Sequence, residues 1–354
     1  MARLRRVDCS GPGIARVRRG KGFRYLDPQG EPIDEPEVLA RIGELVIPPA
    51  WRDVWICPYP MGHIQATGVD AAGRKQYLYH PKWRERRDRQ KFDDMVEFAR
   101  DLPELRRYVA EVLDGGSDLT RERVLACAVR LLDRGFFRIG SEDYAASNDT
   151  YGLATMHKDH VRLEGEDTMV FDYPAKHGKR RVQGVVDPVS AEIIGALKRR
   201  RGGGDELLAF RERPRGPWRD VRSPDINAFI KDATGGDHSA KDFRTWNATT
   251  LAAVALGVSG EVAQSKTARK RAVTRAIKEV AGYLGNTPAV CRASYIDPRV
   301  IDAYEGGIII RPALEQVADE MHAGQLPIHH RAIEEAVLDL VCGVEHAEGL
   351  EQVA

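Results

Sequence analysis

Hydrophobic residues follow two different patterns along this chain, and the pattern changes near residue 88. From Gly22 to about His80 they form short runs separated by turn-forming residues, which is typical of β-strands. One short helix is predicted within this part, over Asp34–Leu45, and ends before Pro48. Further along, apolar residues recur three and four positions apart, as in amphipathic helices. We therefore predict an α+β protein with a small antiparallel β-rich domain over residues 1–88 and a larger, mostly helical domain over residues 89–354.

The helical part is predicted to contain a small β-hairpin sheet. Strand-like segments occur at Asp159–Leu163 and Thr168–Tyr173, and a β-hairpin with Lys176 and Lys179 near its turn follows. Residues 1–20 are rich in arginine and glycine and are predicted to be mobile. The periodic segments predict helices over Asp88–Ala99, Pro103–Leu113, Thr120–Arg134, Asp187–Arg200, Ser223–Lys231, Asn247–Leu256 and Lys266–Leu284.

Composition excludes some classes of protein. No apolar run approaches the ~20 residues of a membrane span, and the N-terminus lacks the apolar stretch of a secretion signal. The five cysteines are scattered without a C-x-x-C pair, which predicts reduced thiols in a cytoplasmic protein and no structural zinc. The chain also lacks a G-x-x-x-x-G-K-[ST] loop for ATP and an Asp-x-Asp cluster for Mg²⁺.

Charge is distributed unevenly although the formal net charge is only +1. Residues 1–90 contain 17 Lys and Arg against 11 Asp and Glu, whereas residues 311–354 contain 2 against 9. A basic front and an acidic tail allow a nucleic-acid-binding face despite the near-neutral total. The acidic tail is predicted to hold two helical stretches split by Pro327, which either cover Tyr295 or cap the fold.

Candidate chemistry lies in three separate segments. Tyr295 follows Asn286 by nine residues, and Asn286 lies at a junction where one helix ends and Thr287-Pro288 starts another. Two upstream segments, Phe136-Phe-Arg-Ile-Gly and Lys241-Asp-Phe-Arg-Thr-Trp, place Arg138 and Arg244 in apolar or aromatic surroundings. Guanidinium groups bind phosphate oxygens bidentately and keep their charge when partly buried. These residues predict covalent attack by the tyrosine on a phosphodiester.

Six segments, in this order, resemble those of the type IB DNA topoisomerases, the compact bacterial and poxviral kind. The resemblance covers about residues 20–310, and no single segment is decisive without the others. The segments are Gly73-Arg-Lys-Gln-Tyr-Leu-Tyr-His; Phe136-Phe-Arg-Ile-Gly with Tyr151-Gly-Leu-Ala-Thr-Met-His-Lys-Asp-His; Phe171-Asp-Tyr-Pro-Ala-Lys; Lys241-Asp-Phe-Arg-Thr-Trp; Tyr283-Leu-Gly-Asn; and Ser294-Tyr-Ile-Asp-Pro.

The resemblance implies an enzyme that relaxes supercoiled DNA through a 3′-phosphotyrosyl intermediate and religation, without ATP, metal or another cofactor. The catalytic residues it implies are Arg138, Lys176, Arg244, Asn286 and Tyr295. The sequence departs from the family twice: many members have histidine at the position of Asn286, and the family usually has glycine where Ala175 precedes the lysine. Lys179 therefore stays a competing candidate for the role of Lys176.

The resemblance also implies that a monomer binds duplex DNA as a clamp, in the nucleoid of a bacterial cytoplasm. The predicted DNA contacts are Arg74, Lys75, Gln76, Tyr77, Tyr79, Tyr144, His160 and Lys241. Alternation along a strand places Tyr77 and Tyr79 on one face, where aromatic side chains can reach the groove. A metal site at His157 and His160 is not favoured, because no carboxylate or thiol is recognised at ligand spacing.

Two alternatives stay open. A tyrosine recombinase uses a similar set of residues, but it typically has His-x-x-Arg at the second arginine, where this chain has Lys241-Asp-Phe-Arg. The front domain is also β-rich instead of helical. A non-catalytic DNA-binding protein would need none of Arg138, Arg244 and Tyr295. Relaxation of plasmid, strand exchange, or binding alone would separate the three functions.

Overall fold

The computed structural model describes residues 3–213, 215–259, 265–318, 327–344 and 346–353. Its contacts divide the chain into two compact units, Met1–Lys91 and Phe92–Ala354. The sequence pattern placed this boundary between residues 88 and 89. Within the described ranges, no helix is both long enough and apolar enough to cross a membrane.

The first unit is built on a five-stranded antiparallel sheet with the order β2-β1-β3-β4-β5. Its core consists of Ile14, Ile33, Ile42, Val54, Ile56 and Ala66. The elements are β1 Ile14–Arg19, β2 Gly22–Leu26, α1 Pro36–Glu44, β3 Arg52–Ile56, β4 Ile64–Val69 and β5 Lys75–Tyr79.

The prediction that residues 1–20 are mobile was wrong for β1. This strand lies between two others, pairing along its length with β2 and at Ile14 and Ala15 with β3. Ile14 is buried in the core, while four of the six residues of the strand are arginine or alanine. Its arginines are mostly exposed, so the strand lacks the run of hydrophobic residues by which a strand is recognised in a sequence.

Ten helices, α3 to α12, and the small sheets make up most of the second unit among the described residues. The helices are α3 Arg121–Gly135, α4 Glu142–Asn148, α5 Pro188–Arg199, α6 Ser223–Thr234, α7 Ala240–Ser259, α8 Lys266–Leu284, α9 Pro288–Ser294, α10 Pro298–Glu305, α11 Arg311–Ala318 and α12 Arg331–Cys342. The first sheet has the antiparallel order β6-β7-β8, and its strands are β6 Val161–Glu164, β7 Thr168–Ala175 and β8 Lys179–Val186. The sequence did not predict the two short pairs, which are β9 Ala209–Arg211 with β10 Trp218–Asp220 and β11 Ile308–Ile309 with β12 Glu351–Gln352.

One further helix, α2 (Pro81–Asp114), contains Pro103 in its interior. The prediction of two helices separated by this proline was wrong. Proline usually breaks a helix because it lacks the N–H donor and its ring clashes with the preceding turn. Here Leu102 and Leu105, on either side of it, are each only 1% exposed, and this packing offsets the local cost.

Helix α7 forms the centre of the second unit. It begins at Ala240, seven residues before the predicted start, and fifteen of its residues are buried. A helix that is buried around most of its circumference shows little amphipathic periodicity, so its first turns could not be recognised from the sequence. Trp246 and Phe243 are among the largest fully buried side chains. The fold class predicted from the sequence, α+β, is confirmed.

The acidic tail contributes to the core of this unit. Ala313, Val317, Ile328, Ile333 and Val337 are all buried in the same hydrophobic cluster as α7. Helix α12 packs against α7, α10 and α11. Within its described residues, the tail therefore caps the fold, which is one of the two arrangements that the sequence predicted.

Candidate active site

Arg244 is the buried cation at the centre of the site. It lies on α7, is only 4% exposed, and donates from Nη1 to the carbonyl oxygen of Phe136 and from Nη2 to that of Leu284 at 3.0 Å. Its guanidinium carbon is 5.1 Å from the ring centroid of Tyr295. Burial and the nearby charge of Arg138 lower the pKa of Arg244 to about 10.

Arg138 approaches the same place from the end of α3. That helix ends at Gly135 and is capped by Phe136, which has a left-handed conformation with φ of 53°, so the chain turns sharply before Arg138. Nη2 of Arg138 donates to the carbonyl oxygen of Gly285 at 3.0 Å and to Oδ1 of Asn286. The segments that hold Arg138 and Arg244 thus meet at the end of α8.

Three consecutive carbonyl groups at the C-terminus of α8 each accept a hydrogen bond from a different arginine. Arg181 donates to Tyr283, Arg244 to Leu284 and Arg138 to Gly285, in each case through Nη2. The last carbonyls of a helix have no partner within the helix and carry partial negative charge, so they are suited to hold cations. We call Arg138, Arg181 and Arg244 the arginine cluster.

Gly285 permits this approach. Its φ of 60° is in the left-handed region, and a Cβ there would lie 2.7 Å from Nη1 of Arg181 and 3.7 Å from Nη1 of Arg138. A side chain would therefore be strained and would displace at least one guanidinium group.

Tyr295 lies at the end of α9, with its ring beside Arg244. Its carbonyl oxygen accepts from the Thr249 hydroxyl at 3.2 Å, and the same hydroxyl accepts from the Asp297 N–H at 3.1 Å. Burial raises the pKa of the Tyr295 hydroxyl, but the charges of Arg244, Arg138 and Lys241 lower it more, so the pKa lies below its ordinary value. The site thus favours the phenolate, which is the nucleophilic form.

The side-chain amide of Asn286 has a hydrogen-bond partner at its oxygen, Oδ1. Because its Oδ1 accepts from Arg138, its Nδ2 faces away, and in the described part of the chain this buried nitrogen has no hydrogen-bond partner. A buried donor without a partner is rare and costly. It is available for an oxygen atom of a substrate.

The structure does not bring the predicted lysine to these residues. Lys176 and Lys179 are exposed on either side of the turn between β7 and β8, where His177 and Gly178 have φ of 68° and 69°. Among the residues the structure describes, neither ammonium group contacts Arg138, Arg244 or Tyr295. Four of the five predicted catalytic residues therefore lie together, and the fifth lies on the hairpin.

Arg181 is the member of the cluster that the sequence reading missed. Apart from its bond to Tyr283, it donates from Nε to Oε1 of Gln183 at 2.6 Å. Burial and the charge of Arg138 lower the pKa of Arg181, while neighbouring Tyr173 acts in the opposite direction. The available signal was strand alternation, because Arg181 and Gln183 share one face of β8 whereas Arg180 and Val182 share the other.

Comparison with known proteins agrees with this geometry. The family described as "Eukaryotic DNA topoisomerase I, catalytic core" matches residues 80–309, and "Bacterial DNA topoisomerase IB, N-terminal domain" matches residues 22–70. The chain belongs to the type IB DNA topoisomerases. The first match covers more than half of the chain and includes every residue of the arginine cluster, Asn286 and Tyr295. The resemblance seen in the sequence is confirmed, and with it the class of enzyme, an isomerase that acts on DNA.

Viral and eukaryotic relatives share different portions of the chain. The DNA topoisomerase 1B of Acanthamoeba polyphaga mimivirus is 27% identical over 83% of this chain and 88% of its own length. The DNA topoisomerase 1 of rabbit fibroma virus is 20% identical over 67% of this chain and 70% of its own length. The DNA topoisomerase 1 of Schizosaccharomyces pombe is 29% identical over 41% of this chain, and the match spans only 17% of its own length.

Three of the DNA contacts predicted for this topoisomerase lie in the second unit. Lys241 is exposed at the start of α7, and its charge helps to lower the pKa of Tyr295. His160 accepts through Nδ1 from the backbone N–H of His157 at 3.1 Å, and its ring centroid lies 6.4 Å from that of Tyr173. Tyr144 lies half-buried on α4, and among the described residues it makes no hydrogen bond or ring contact with the arginine cluster.

The statement that His157 and His160 have no carboxylate at ligand spacing was wrong. Asp159 lies between them in the sequence, and one ligand atom from each of the three residues lies within 4.8 Å of the others. The short 3₁₀ turn over Lys158–His160 brings them together. The rings of the two histidines are nearly parallel, with an angle of 6° between their planes.

The other predicted DNA contacts lie on β5 and the turn before it, in the first unit. The Asp70 carboxylate holds two of them, pairing with Arg74 at 2.9 Å and accepting from Nε2 of Gln76 at 2.9 Å. Lys75 lies 3.8 Å from the sulfur of Cys9. The rings of Tyr77 and Tyr79 stack with centroids 6.1 Å apart, on one exposed face of the strand as predicted.

Proposed function

We propose that this protein relaxes supercoiled DNA by cutting one strand through Tyr295 and rejoining it, without ATP or metal. The observation that carries the proposal is the position of the Tyr295 ring, 5.1 Å from a buried guanidinium that no carboxylate neutralises among the described residues. A cation in this state attracts both the phenolate and the phosphate group of a DNA strand.

In the proposed cleavage step, the Tyr295 oxygen attacks the phosphorus atom of a DNA phosphodiester. A bond forms between the tyrosine oxygen and phosphorus, and the bond from phosphorus to the 5′-oxygen breaks. Arg138 and Arg244 stabilise the charge on the non-bridging oxygens, and Nδ2 of Asn286 donates to one of them. The 3′-phosphotyrosyl link conserves the energy of the phosphodiester, so the 5′-hydroxyl can rejoin the strand without ATP.

The leaving 5′-oxygen needs a proton, which we assign to Lys176. A lysine ammonium group is a better proton donor than an arginine, which holds its proton too strongly. Lys179 is the competing candidate, because both lysines flank the same turn. We propose that the ammonium group contacts the DNA backbone from this exposed turn.

The proposal includes a DNA-binding face on each unit. The residues we assign to it are Arg74, Lys75, Gln76, Tyr77, Tyr79, Tyr144, His160 and Lys241. Lysine and arginine there would contact phosphates, while the stacked tyrosines would contact the sugar or base edges. We propose that the protein binds duplex DNA as a monomeric clamp.

The test is relaxation of supercoiled plasmid in EDTA without ATP, together with isolation of the covalent protein–DNA adduct. We expect relaxation of both positive and negative supercoils by the natural protein. Tyr295→Phe should bind the same DNA yet form no adduct and relax none of it. An adduct that persists in this variant would rule out the assigned nucleophile. Site-specific strand exchange would instead indicate a recombinase, and binding alone a non-catalytic protein.

A further inference from the structure

We propose that Arg181 is a positioning residue for DNA cleavage: it fixes the β7–β8 hairpin, and with it Lys176, on the C-terminal end of α8. The inference rests on the proposed function, in which Lys176 protonates the leaving oxygen. Arg181 itself is assigned no contact with the DNA. Its role is to connect the strand that carries the acid to the helix end that carries Asn286.

Hydrogen bonds from two neighbouring side chains of β8 make this connection. Arg181 donates to the carbonyl oxygen of Tyr283 at the end of α8. Its Nε also donates to Gln183 at 2.6 Å, and Nε2 of Gln183 donates to the carbonyl oxygen of Gly135 at the end of α3. One strand is thereby joined to the two helix ends that precede Asn286 and Arg138.

The position of Arg181 is electrostatically unfavourable, so a functional reason for it is expected. Arg181 is partly buried next to a second cation, Arg138, and both burial and that charge lower its pKa. Among the described residues, no carboxylate pairs with it. Its planar guanidinium group bonds to two acceptors on different elements at once, which the ammonium group of a lysine does with less geometric control.

Arg180 provides an internal contrast. It is 75% exposed and lies on the opposite face of β8, where it donates from Nε to Asp172 of the neighbouring strand at 2.7 Å. Its contact is with β7 only, so it does not connect the hairpin to a helix. The two adjacent arginines thus have identical side chains, but Arg180 bonds to the neighbouring strand and Arg181 to the end of α8.

The position of Lys176 depends on the strand that follows it. Among the described residues, its ammonium group has no contact of its own with the arginine cluster. The turn is short, and Ala175 pairs with Lys179 across it, so a shift of β8 would be passed directly to Lys176. Releasing Arg181 should therefore displace Lys176 from the leaving oxygen, and a displacement of about 1 Å can slow catalysis about 100-fold.

The experiment measures single-turnover formation of the Tyr295 adduct at saturating enzyme, with Arg181→Ala, Arg180→Ala and Lys176→Ala. Each is tested on an ordinary phosphodiester and on a substrate with sulfur at the 5′-bridging position, whose leaving group needs no proton. We expect Arg181→Ala to be slower by about 100-fold on the ordinary substrate and to regain most of that rate with sulfur. Arg180→Ala should resemble the natural protein on both substrates.

Two outcomes would overturn the inference. Equal losses on both substrates would show that Arg181 acts on the phosphate and not through the lysine, and an unchanged rate would show that its contacts are idle. If Arg181→Ala does not fold, as judged by circular dichroism, Arg181→Lys keeps the charge but not the fork and should show a smaller loss with the same sulfur rescue. Failure of the natural protein to form any adduct would instead refute the proposed function.

Discussion

Two groups of arginine in the second unit hold their charges in opposite ways. In the arginine cluster, Arg244 and Arg138 donate to backbone carbonyls. Elsewhere in the same unit, Arg106 forms bidentate pairs with Asp133, at 2.8 and 2.9 Å, and with Glu334, at 2.6 and 2.9 Å. The pKa of Arg106 is raised because the two carboxylates outweigh its burial, whereas that of Arg244 is lowered to about 10.

The difference shows what kind of partner leaves an arginine available for a substrate. A carbonyl oxygen satisfies an N–H donor without cancelling the positive charge, while a carboxylate does both. The group around Arg106 also supports the other group. Asp133 lies in the last turn of α3, shortly before Arg138, and Trp246, which follows Arg244 on α7, donates to Glu334 at 3.2 Å. One group thus stabilises the elements on which the other depends.

The largest effect should come from Lys176, which the proposed cleavage step requires in addition to the arginine cluster. Lys176→Ala should slow adduct formation on an ordinary phosphodiester by about 10²- to 10⁴-fold, the usual contribution of a general acid. Sulfur at the 5′-bridging position should restore much of this rate. Lys179→Ala is the matched control, with a mild defect and no selective rescue. The reverse pattern, rescue of Lys179→Ala alone, would transfer the role to Lys179.

The second prediction concerns Arg244 itself. Arg244→Gln should slow adduct formation by about 10²- to 10³-fold, because one stabilising contact to the transition-state oxygens is lost. The free energy of unfolding, measured in urea, should fall less than for a buried arginine that pairs with carboxylates, because the substitution leaves carbonyl acceptors but no buried charge without a partner. Arg244→Lys keeps the charge but cannot reach both carbonyls, so its activity should lie between that of the natural protein and that of Arg244→Gln. A large loss of stability in Arg244→Gln would contradict the contrast between the two groups.

The third prediction is that Arg106, unlike Arg244, contributes mainly to stability. Arg106→Gln leaves Asp133 and Glu334 buried without their cation, so the free energy of unfolding should fall by about 3–5 kcal/mol at neutral pH. The neighbouring Arg107 pairs with Glu104 and Glu111 on the exposed side of α2. Arg107→Gln should therefore leave the free energy of unfolding nearly unchanged. Equal stability of the two variants in urea would show that the buried pairs contribute nothing.

The smallest effect concerns pH and His329. This histidine lies 3.9 Å from Asp133 and lines a cavity of about 120 Å³, and burial lowers its pKa to about 4. As pH falls from about 6.5 to 4, the unfolded chain binds a proton that the folded protein does not, so the free energy of unfolding falls across this window. The raised pKa of Glu334 acts in the opposite direction, while that of Asp133 is lowered and matters only below this window.

His329→Gln isolates the histidine from these neighbours. Urea unfolding between pH 4 and 7 should show a flatter dependence for the variant than for the natural protein. An identical slope for both proteins would assign the pH dependence to other groups.

The sequence predicted the parts of the site that carry a local motif. Arg138, Arg244, Asn286 and Tyr295 each stand beside aromatic residues or helix signals, and the structure brings all four together. Arg181 has no such signal, because it follows two other basic residues. Only the register of β8, which pairs Arg181 with Tyr173 and Arg180 with Pro174, decides which of the two faces inward.

The fold was predictable to a similar extent and for the same reason. Helices with an amphipathic stripe were recognised, whereas β1 and the first turns of α7 were not. In β1 only Ile14 is buried and arginine fills half of the strand, while α7 is surrounded by core from several helices that are distant in the sequence. The break expected at Pro103 did not occur because packing, which the local sequence does not show, offsets it.

The three carbonyls at the end of α8 also have a consequence for the order in which the protein becomes active. Their arginine partners lie 147, 102 and 40 residues earlier in the chain. A ribosome therefore completes Arg138 and Arg181 long before it adds the carbonyls that orient them, and Tyr295 comes later still. Since ordering such distant segments precedes any gain from their contact, a partly synthesised chain lacks both Tyr295 and the assembled arginine cluster. Under the proposed function, such a chain is unable to cut DNA.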